Sequence, residues 1–243
     1  MRAPVSVVIP TRDAAAGLPA MLGFLGEGLQ AGILREVVIS DAAGADGQGD
    51  AATARIAGEW GARLIVGPAG RGGQLRRGAE AAGGAWLLFL HADSWLAPGW
   101  AGAVAGHLRH PERAGWFGLR FRGGGAAGAI VARWANLRAR AGLPFGDQGL
   151  LISRALYDAV GGYPDIPLME DMALARALRG RLVRLPAMVL TSPERYRHAG
   201  WLRQGAGNLW RQVRFFCGAD PARLARGYAP PGGGPGAGQG SGR

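Results

Sequence analysis

Four short apolar runs, each separated from the next by a stretch that suits a helix, do most to limit how this chain folds. Val5-Ser6-Val7-Val8-Ile9, Glu36-Val37-Val38-Ile39-Ser40-Asp41, Arg63-Leu64-Ile65-Val66 and Trp86-Leu87-Leu88-Phe89-Leu90 read as strands rich in β-branched and large apolar residues. The intervening segments, about Ala14–Ala31, Ala51–Trp60 and Gln74–Ala82, read as helices. A parallel pair of strands needs a crossover of this length, and near-continuous apolar strands are buried on both faces. The expected fold is therefore α/β: an open, Rossmann-like, mostly parallel sheet flanked by helices.

The second half is less regular. Trp116–Phe121 and Gly149–Ile152 read as strands, as does Leu182–Leu190 despite Pro186 inside it. Ala126–Arg140 and Met172–Leu178 carry helical patterns, and a longer helix, about Gly200–Cys217, forms a C-terminal extension. With 243 residues, one domain over 1–227 suffices to bury a core. The remainder, 228–243, is dominated by Gly and Pro with almost nothing to bury, and is expected to be a disordered tail.

Composition narrows the function classes. The formal charge of +11 comes entirely from arginine, since the 28 basic residues include no Lys. Two readings stand: a solvated surface poor in acids, or attraction to polyanions such as diphosphates, anionic lipid or nucleic acid. Cys217 is the only cysteine, which excludes an intrachain disulfide and a cysteine metal cluster. The N-terminus runs straight into the first strand, and no apolar run nears the roughly 20 residues that span a bilayer. A cytoplasmic protein is expected, peripheral at the inner membrane face at most.

In an open α/β sheet, ligands bind beyond the carboxyl ends of the strands. Pro10, Thr11 and Asp13 follow the first strand, Asp41 and Asp46 the second, the Gly67–Gly73 loop the third, and His91, Ala92 and Asp93 the fourth. Any one Asp there is readily explained as a cap or turn former; several on one edge suggest a site. His91 and Asp93, two apart on extended backbone, point the same way and suit a shared cation. A hard cation held by one or two protein groups plus phosphates is the usual Mg²⁺ arrangement, and an imidazole tilts the preference toward Mn²⁺. The other reading makes His91 a packed strand-end residue. Of Glu170 and Asp171, one carboxylate faces the site as a base while its neighbour caps the helix or orients a partner. Gly146-Asp147-Gln148-Gly149 reads as a loop lining the pocket or as an ordinary turn. Absent are G-x-G-x-x-G after the first strand, a P-loop and a G-x-S-x-G elbow.

Taken in order, Val7-Val8-Ile9-Pro10-Thr11, Val37-Val38-Ile39-Ser40-Asp41, Leu88-Phe89-Leu90-His91-Ala92-Asp93 and Met169-Glu170-Asp171 resemble the family 2 glycosyltransferases of GT-A fold. Gly70-Arg71-Gly72-Gly73-Gln74 and Phe145-Gly146-Asp147-Gln148-Gly149 are similar to those of a small bacterial subgroup. The resemblance implies inverting, metal-assisted sugar transfer from a nucleotide-diphosphate donor. On that reading Pro10, Thr11, Asp13, Asp41, Arg71, Gln74 and Ala92 hold the donor, Arg71 at its diphosphate. Asp93, with His91 where the family has a first Asp, holds Mg²⁺ or Mn²⁺. Asp171, with Glu170 beside it, is the base, and Gly146, Asp147 and Gln148 lie on the acceptor side. No Q-x-x-R-W occurs, so transfer is expected to be non-processive.

Leu202, Ala206, Leu209, Trp210, Val213, Phe216 and Cys217 recur at helical spacing, with Arg203, Arg211 and Arg214 elsewhere on the wheel. Core packing is the first expectation for this helix; contact with an anionic membrane, suiting a lipid-linked acceptor, is the second. The competing functions are a sugar nucleotidyltransferase, which wants a Gly-rich Arg loop after the first strand where Pro10-Thr11-Arg12-Asp13 stands, and a non-enzymatic polyanion-binding module. Nucleic acid is not an expected partner, because acids cluster where its groove wants arginine.

Overall fold

The structure is a computed structural model that describes residues 2–193, 196 and 200–226. The expected tail, 228–243, lies outside the described residues. The four strands of the first half are β1 (Val5–Thr11), β2 (Leu34–Ala42), β3 (Arg63–Gly67) and β4 (Trp86–Phe89). They are joined by β5 (Ser94–Leu96), β6 (Ala114–Phe121), β7 (Leu150–Ser153) and β8 (Leu182–Thr191) in one sheet of order β3-β2-β1-β4-β7-β6-β8-β5. β1 pairs in parallel with both β2 and β4, and β2 with β3, which is the expected βαβ half. β7 runs antiparallel between β4 and β6, and β8 returns parallel to β6. The fold class is as expected: α/β, with a mostly parallel sheet between helical layers.

Strand periodicity divides the core. Val5, Val7 and Ile9 of β1 face one layer with Leu88 of β4, packed on α1 (Leu18–Phe24) and α5 (Trp100–His107). Val8, Leu87 and Phe89 face the other, against Leu75 and Ala79 of α4 (Arg71–Ala81). Both faces are apolar because both are covered.

Three local expectations change. The single helix over Ala14–Ala31 is two short ones, α1 and α2 (Gly26–Gln30), meeting at Leu25. Pro19 favours a start near Leu18, and Gly23, Gly26 and Gly28 weaken propagation. α4 begins at Arg71, ahead of the expected Gln74, although its first turn is Arg71-Gly72-Gly73. Those glycines answer to packing: a Cβ on Gly72 would stand 2.2 Å from the Pro164 carbonyl oxygen. The third change concerns the C-terminal helix. α3 (Ala51–Glu59), α6 (Gly125–Arg140), α7 (Arg154–Ala159) and α8 (Glu170–Ala177) precede it, and it runs as α9 (Trp201–Phe216), with α10 (Pro221–Arg226) beyond. Core packing of its apolar stripe is not what the structure shows. Leu209, Trp210, Val213 and Phe216 stay 43 to 63% exposed, and Ala206 and Cys217 are exposed too; the side chains of Leu202 and Arg203 lie outside the described residues. The opposite side of α9 turns inward, with Gln212 buried.

Candidate active site

Beyond β1 the chain order reverses: β2 and β3 lie to one side of β1 and β4 to the other. Brought together outside the carboxyl ends at such a reversal, loops leave a crevice. A pocket of about 890 Å³, part of it open to solvent, lies beyond the ends of β4, β6 and β8. Its acidic wall combines Asp93, Asp147, Glu170 and Asp171, with Arg71 and His91 beside them. These residues come from four separate stretches of the chain, and the fold converges them.

Each is held in a definite way. β4 ends in a turn, where the Ser94 N–H donates to the His91 carbonyl at 3.1 Å. The His91 ring lies against Arg71, whose Nη2 is 2.7 Å from both ring nitrogens. On its other side, a Cβ on Gly146 would fall 2.5 Å from His91 Nε2, so glycine is what lets the imidazole sit there. Arg71 Nε also reaches Glu170 Oε1 at 3.6 Å. Glu170 is 3% exposed. Burial first and the Asp171 charge second raise its carboxyl from 4.5 to about 7, with Arg71 opposing. Asp171 Oδ2 accepts from the Gly146 N–H at 2.9 Å, and its Oδ1 from the Met172 N–H at 2.7 Å. Met169, ahead of them, caps α8 with a left-handed backbone, φ 69°. Non-glycine residues hold that conformation at a cost of about 1–3 kcal/mol, and such strain gathers at functional sites.

Asp147 is the least satisfied acid. Its Oδ1 is out of reach of solvent and has no hydrogen-bond partner among the described residues. Burial raises its carboxyl; Arg138 opposes this, and Asp171 and Asp93 reinforce it. Asp93 is exposed at the pocket, and no hydrogen bond or ion pair holds it among the described residues.

Of the residues expected to hold the donor, Thr11, Asp41 and Gln74 form a separate hydrogen-bonded cluster. Asp41, fully buried, accepts from the Thr11 hydroxyl at 2.7 Å and from the Asp50 N–H at 2.8 Å. Gln74 Nε2 donates to the Thr11 and Ser40 carbonyls, at 2.7 and 2.8 Å, fastening α4 across two strand ends. Asp13 has a side chain 93% exposed, beside Arg12. Pro10 and Ala92 are half-buried. Gln148 is fully buried and turns toward the sheet, reaching the Phe117 carbonyl and Asn136 at 3.4 Å each; Gly146 meets the site through its N–H.

The far wall was not legible beforehand. Phe121, Thr191, Tyr196 and, from α9, Asn208, Arg211 and Gln212 complete the pocket. A signal existed: 208, 211 and 212 form an i, i+3, i+4 polar set on a helix whose other side is apolar.

The metal expectation can be tested on the donor set. Among the described residues no three His, Cys, Asp or Glu side chains form a ready-made metal cage. One carboxylate completed by substrate phosphates is nevertheless a sufficient Mg²⁺-type arrangement, and exposed Asp93 fits it. His91 lies against Arg71, beside that carboxylate.

Sheet, reversal point and acid-lined crevice together define an α/β protein with a ligand crevice beyond the carboxyl ends of its strands. The family model for "Glycosyl transferase family 2" matches residues 6–160. The chain therefore belongs to glycosyl transferase family 2 and is a glycosyltransferase. No curated protein matches the sequence. Among solved structures, the Pyrobaculum calidifontis mannosyltransferase PcManGT, in complex with GDP-Man and Mn²⁺, superposes with TM-score 0.63 at 19% identity, covering 93% of this chain and 69% of that one. S. aureus TarS 1–349 with UDP-GlcNAc gives 0.57 at 16%, covering 78% of this chain, which spans only 58% of that fragment. Mycobacterium tuberculosis glucosyl-3-phosphoglycerate synthase, with Mn²⁺, UDP and glucosyl-3-phosphoglycerate, gives 0.52 at 21%, covering 85% and 78%. At these identities the likeness concerns the fold.

Proposed function

We propose that this chain transfers a sugar from a nucleotide-diphosphate donor to an acceptor hydroxyl, with inversion, non-processively and with help from a divalent cation. The observation that carries it is the meeting of Asp171, Glu170, Asp147, Asp93 and Arg71 in one crevice at the reversal point of the sheet. The mannosyltransferase and synthase named above, both holding nucleotides and Mn²⁺, support the donor class and the metal.

The nucleotide lies over the ends of β1 and β2, near Thr11, Asp41 and Asp13, with its diphosphate toward Arg71 and Asp93. Asp93 holds the cation, Mg²⁺ or Mn²⁺, which when bound supplies a Lewis acid for the departing diphosphate. Arg71 adds a second positive charge where the negative charge develops. The acceptor oxygen forms a bond to the anomeric carbon as the bond to the diphosphate oxygen breaks. The electron pair leaves with the diphosphate, and the hydroxyl proton passes to Asp171. Gly146 N–H fixes the Asp171 carboxylate for that task, and Glu170 holds Arg71 in place. Asp147, which lines the same crevice, receives a polar group of the acceptor.

Purified protein screened against UDP-, GDP-, ADP- and dTDP-sugars with Mn²⁺ or Mg²⁺, scored by thermal shift and donor hydrolysis, tests this. Metal-dependent stabilisation by one donor family is expected; none by any of them would overturn the reading.

A further inference from the structure

Seven of the eleven large apolar side chains left exposed among the described residues sit on two neighbouring helices. On α6 they are Ile130, Trp134 and Leu137, at i, i+4 and i+7, 69, 51 and 56% exposed. They lie on the side of the helix opposite its buried residues Gly128, Ala132, Ala135 and Ala139. On α9 they are Leu209, Trp210, Val213 and Phe216. The inner side of α9 lines the pocket with Asn208, Arg211 and Gln212, so this second stripe is also turned away from the protein. The two helices touch: Trp201 of α9 packs edge-on to Phe121, and its ring would meet a Cβ on Gly124 or Gly128 at the start of α6.

Charge names the occupant. Neither helix carries an Asp or Glu over its 16 residues. Exposed Arg133 and Arg140 lie beside the α6 stripe, and exposed Arg214 beside that of α9. Tryptophans amid aliphatic side chains, edged by arginines and free of acids, suit the headgroup boundary of an anionic bilayer. The one stretch of this chain outside the described residues and long enough to matter, 228–243, offers only Tyr228 as a large apolar side chain, so it is poorly equipped to cover the face. No helix among the described residues is long and apolar enough to cross a membrane, so the contact is with the surface.

We propose that the outer faces of α6 and α9 dock on an anionic membrane surface, holding the pocket at headgroup level so that its acceptor is a hydroxyl carried by a membrane-anchored molecule. The acceptor half rests on the glycosyltransferase reading; the docking half does not.

Co-sedimentation of the intact protein uses vesicles of equal parts phosphatidylcholine and phosphatidylglycerol, and vesicles of phosphatidylcholine alone. Binding to the mixed vesicles is expected to exceed the other by roughly tenfold or more, and to weaken with salt. Trp134→Ser combined with Trp210→Ser, both at exposed positions, is expected to lose at least about tenfold in vesicle binding. The same variant should keep its unfolding temperature and its donor-induced thermal shift without vesicles. Equal or absent binding to both vesicle types would overturn the proposal, as would binding indifferent to the double substitution. A dimer in light scattering that the double substitution dissolves would show that a second copy covers the face, and would overturn it too. Donor-induced stabilisation is measured without lipid, so failure of the docking and failure of the transfer reading are read separately.

Discussion

Replacing Glu170 with Gln should make the protein more stable above neutral pH and leave it nearly unchanged in mild acid. The Glu170 carboxyl is buried beside Asp171, which raises it from 4.5 to about 7. The native state therefore binds this proton more tightly than the unfolded chain does. The corresponding contribution to stability is fully present below about pH 4.5, declines as pH rises toward 7, and is lost above it. A gap of roughly 2.5 pH units at about 1.4 kcal/mol each corresponds to on the order of 3 kcal/mol. Gln keeps the shape without the charge, so the variant escapes that penalty. Its effect on Arg71 is modest, because that guanidinium still lies against His91. Urea unfolding followed by circular dichroism at pH 5, 6, 7 and 8 would give the difference between variant and parent at each pH, with slopes compared to verify two-state behaviour. The expected difference in favour of the variant is below about 1 kcal/mol at pH 5 and on the order of 3 kcal/mol at pH 8. A difference that did not change with pH, or a variant weaker at pH 8, would refute the assignment of a costly buried charge to this position.

Asp171→Asn should leave donor affinity within about twofold while lowering turnover by on the order of 10²–10⁴; calorimetric titration and product formation measure the two separately. Asp93→Ala should abolish the Mn²⁺ or Mg²⁺ dependence of donor binding, seen as loss of the metal-induced thermal shift. Gly72→Ala should cost roughly 1–3 kcal/mol in urea unfolding, because the new methyl group meets the Pro164 carbonyl and pushes α4 off the 164–166 segment. Gln74→Leu strands the Thr11 and Ser40 carbonyls in a buried place and should cost about 1–3 kcal/mol, again read by unfolding.

The strands of the first half were legible because their apolar runs are local and two-sided: Val7 and Val8 each meet a covered face. What stayed hidden depended on partners far along the chain. The first turn of α5 is held by Glu27, 72 residues earlier, which accepts from the Gly99 and Ala101 N–H groups. The first turn of α4 looked like loop because its glycines serve the Pro164 contact, not flexibility. In the site, the acids at the ends of β4 and at the start of α8 could be named from their position after apolar elements. The commitments of His91 to Arg71 and of Gln148 to Asn136 are properties of distance in space, and a linear string does not carry them. α9 was the instructive case: an amphipathic pattern specifies two unlike sides, yet which side meets protein is decided by what lies next to it. Here the polar set faces inward because the pocket is there.

Gly146 joins two ends of the chemistry through one atom-sized opening. Its missing side chain admits the His91 ring on one side, while its N–H donates to Asp171 on the other. A methyl group added at this one spot would push against the imidazole while sparing the carboxylate, so position 146 should tolerate substitution far less than its short, unadorned stretch of chain suggests.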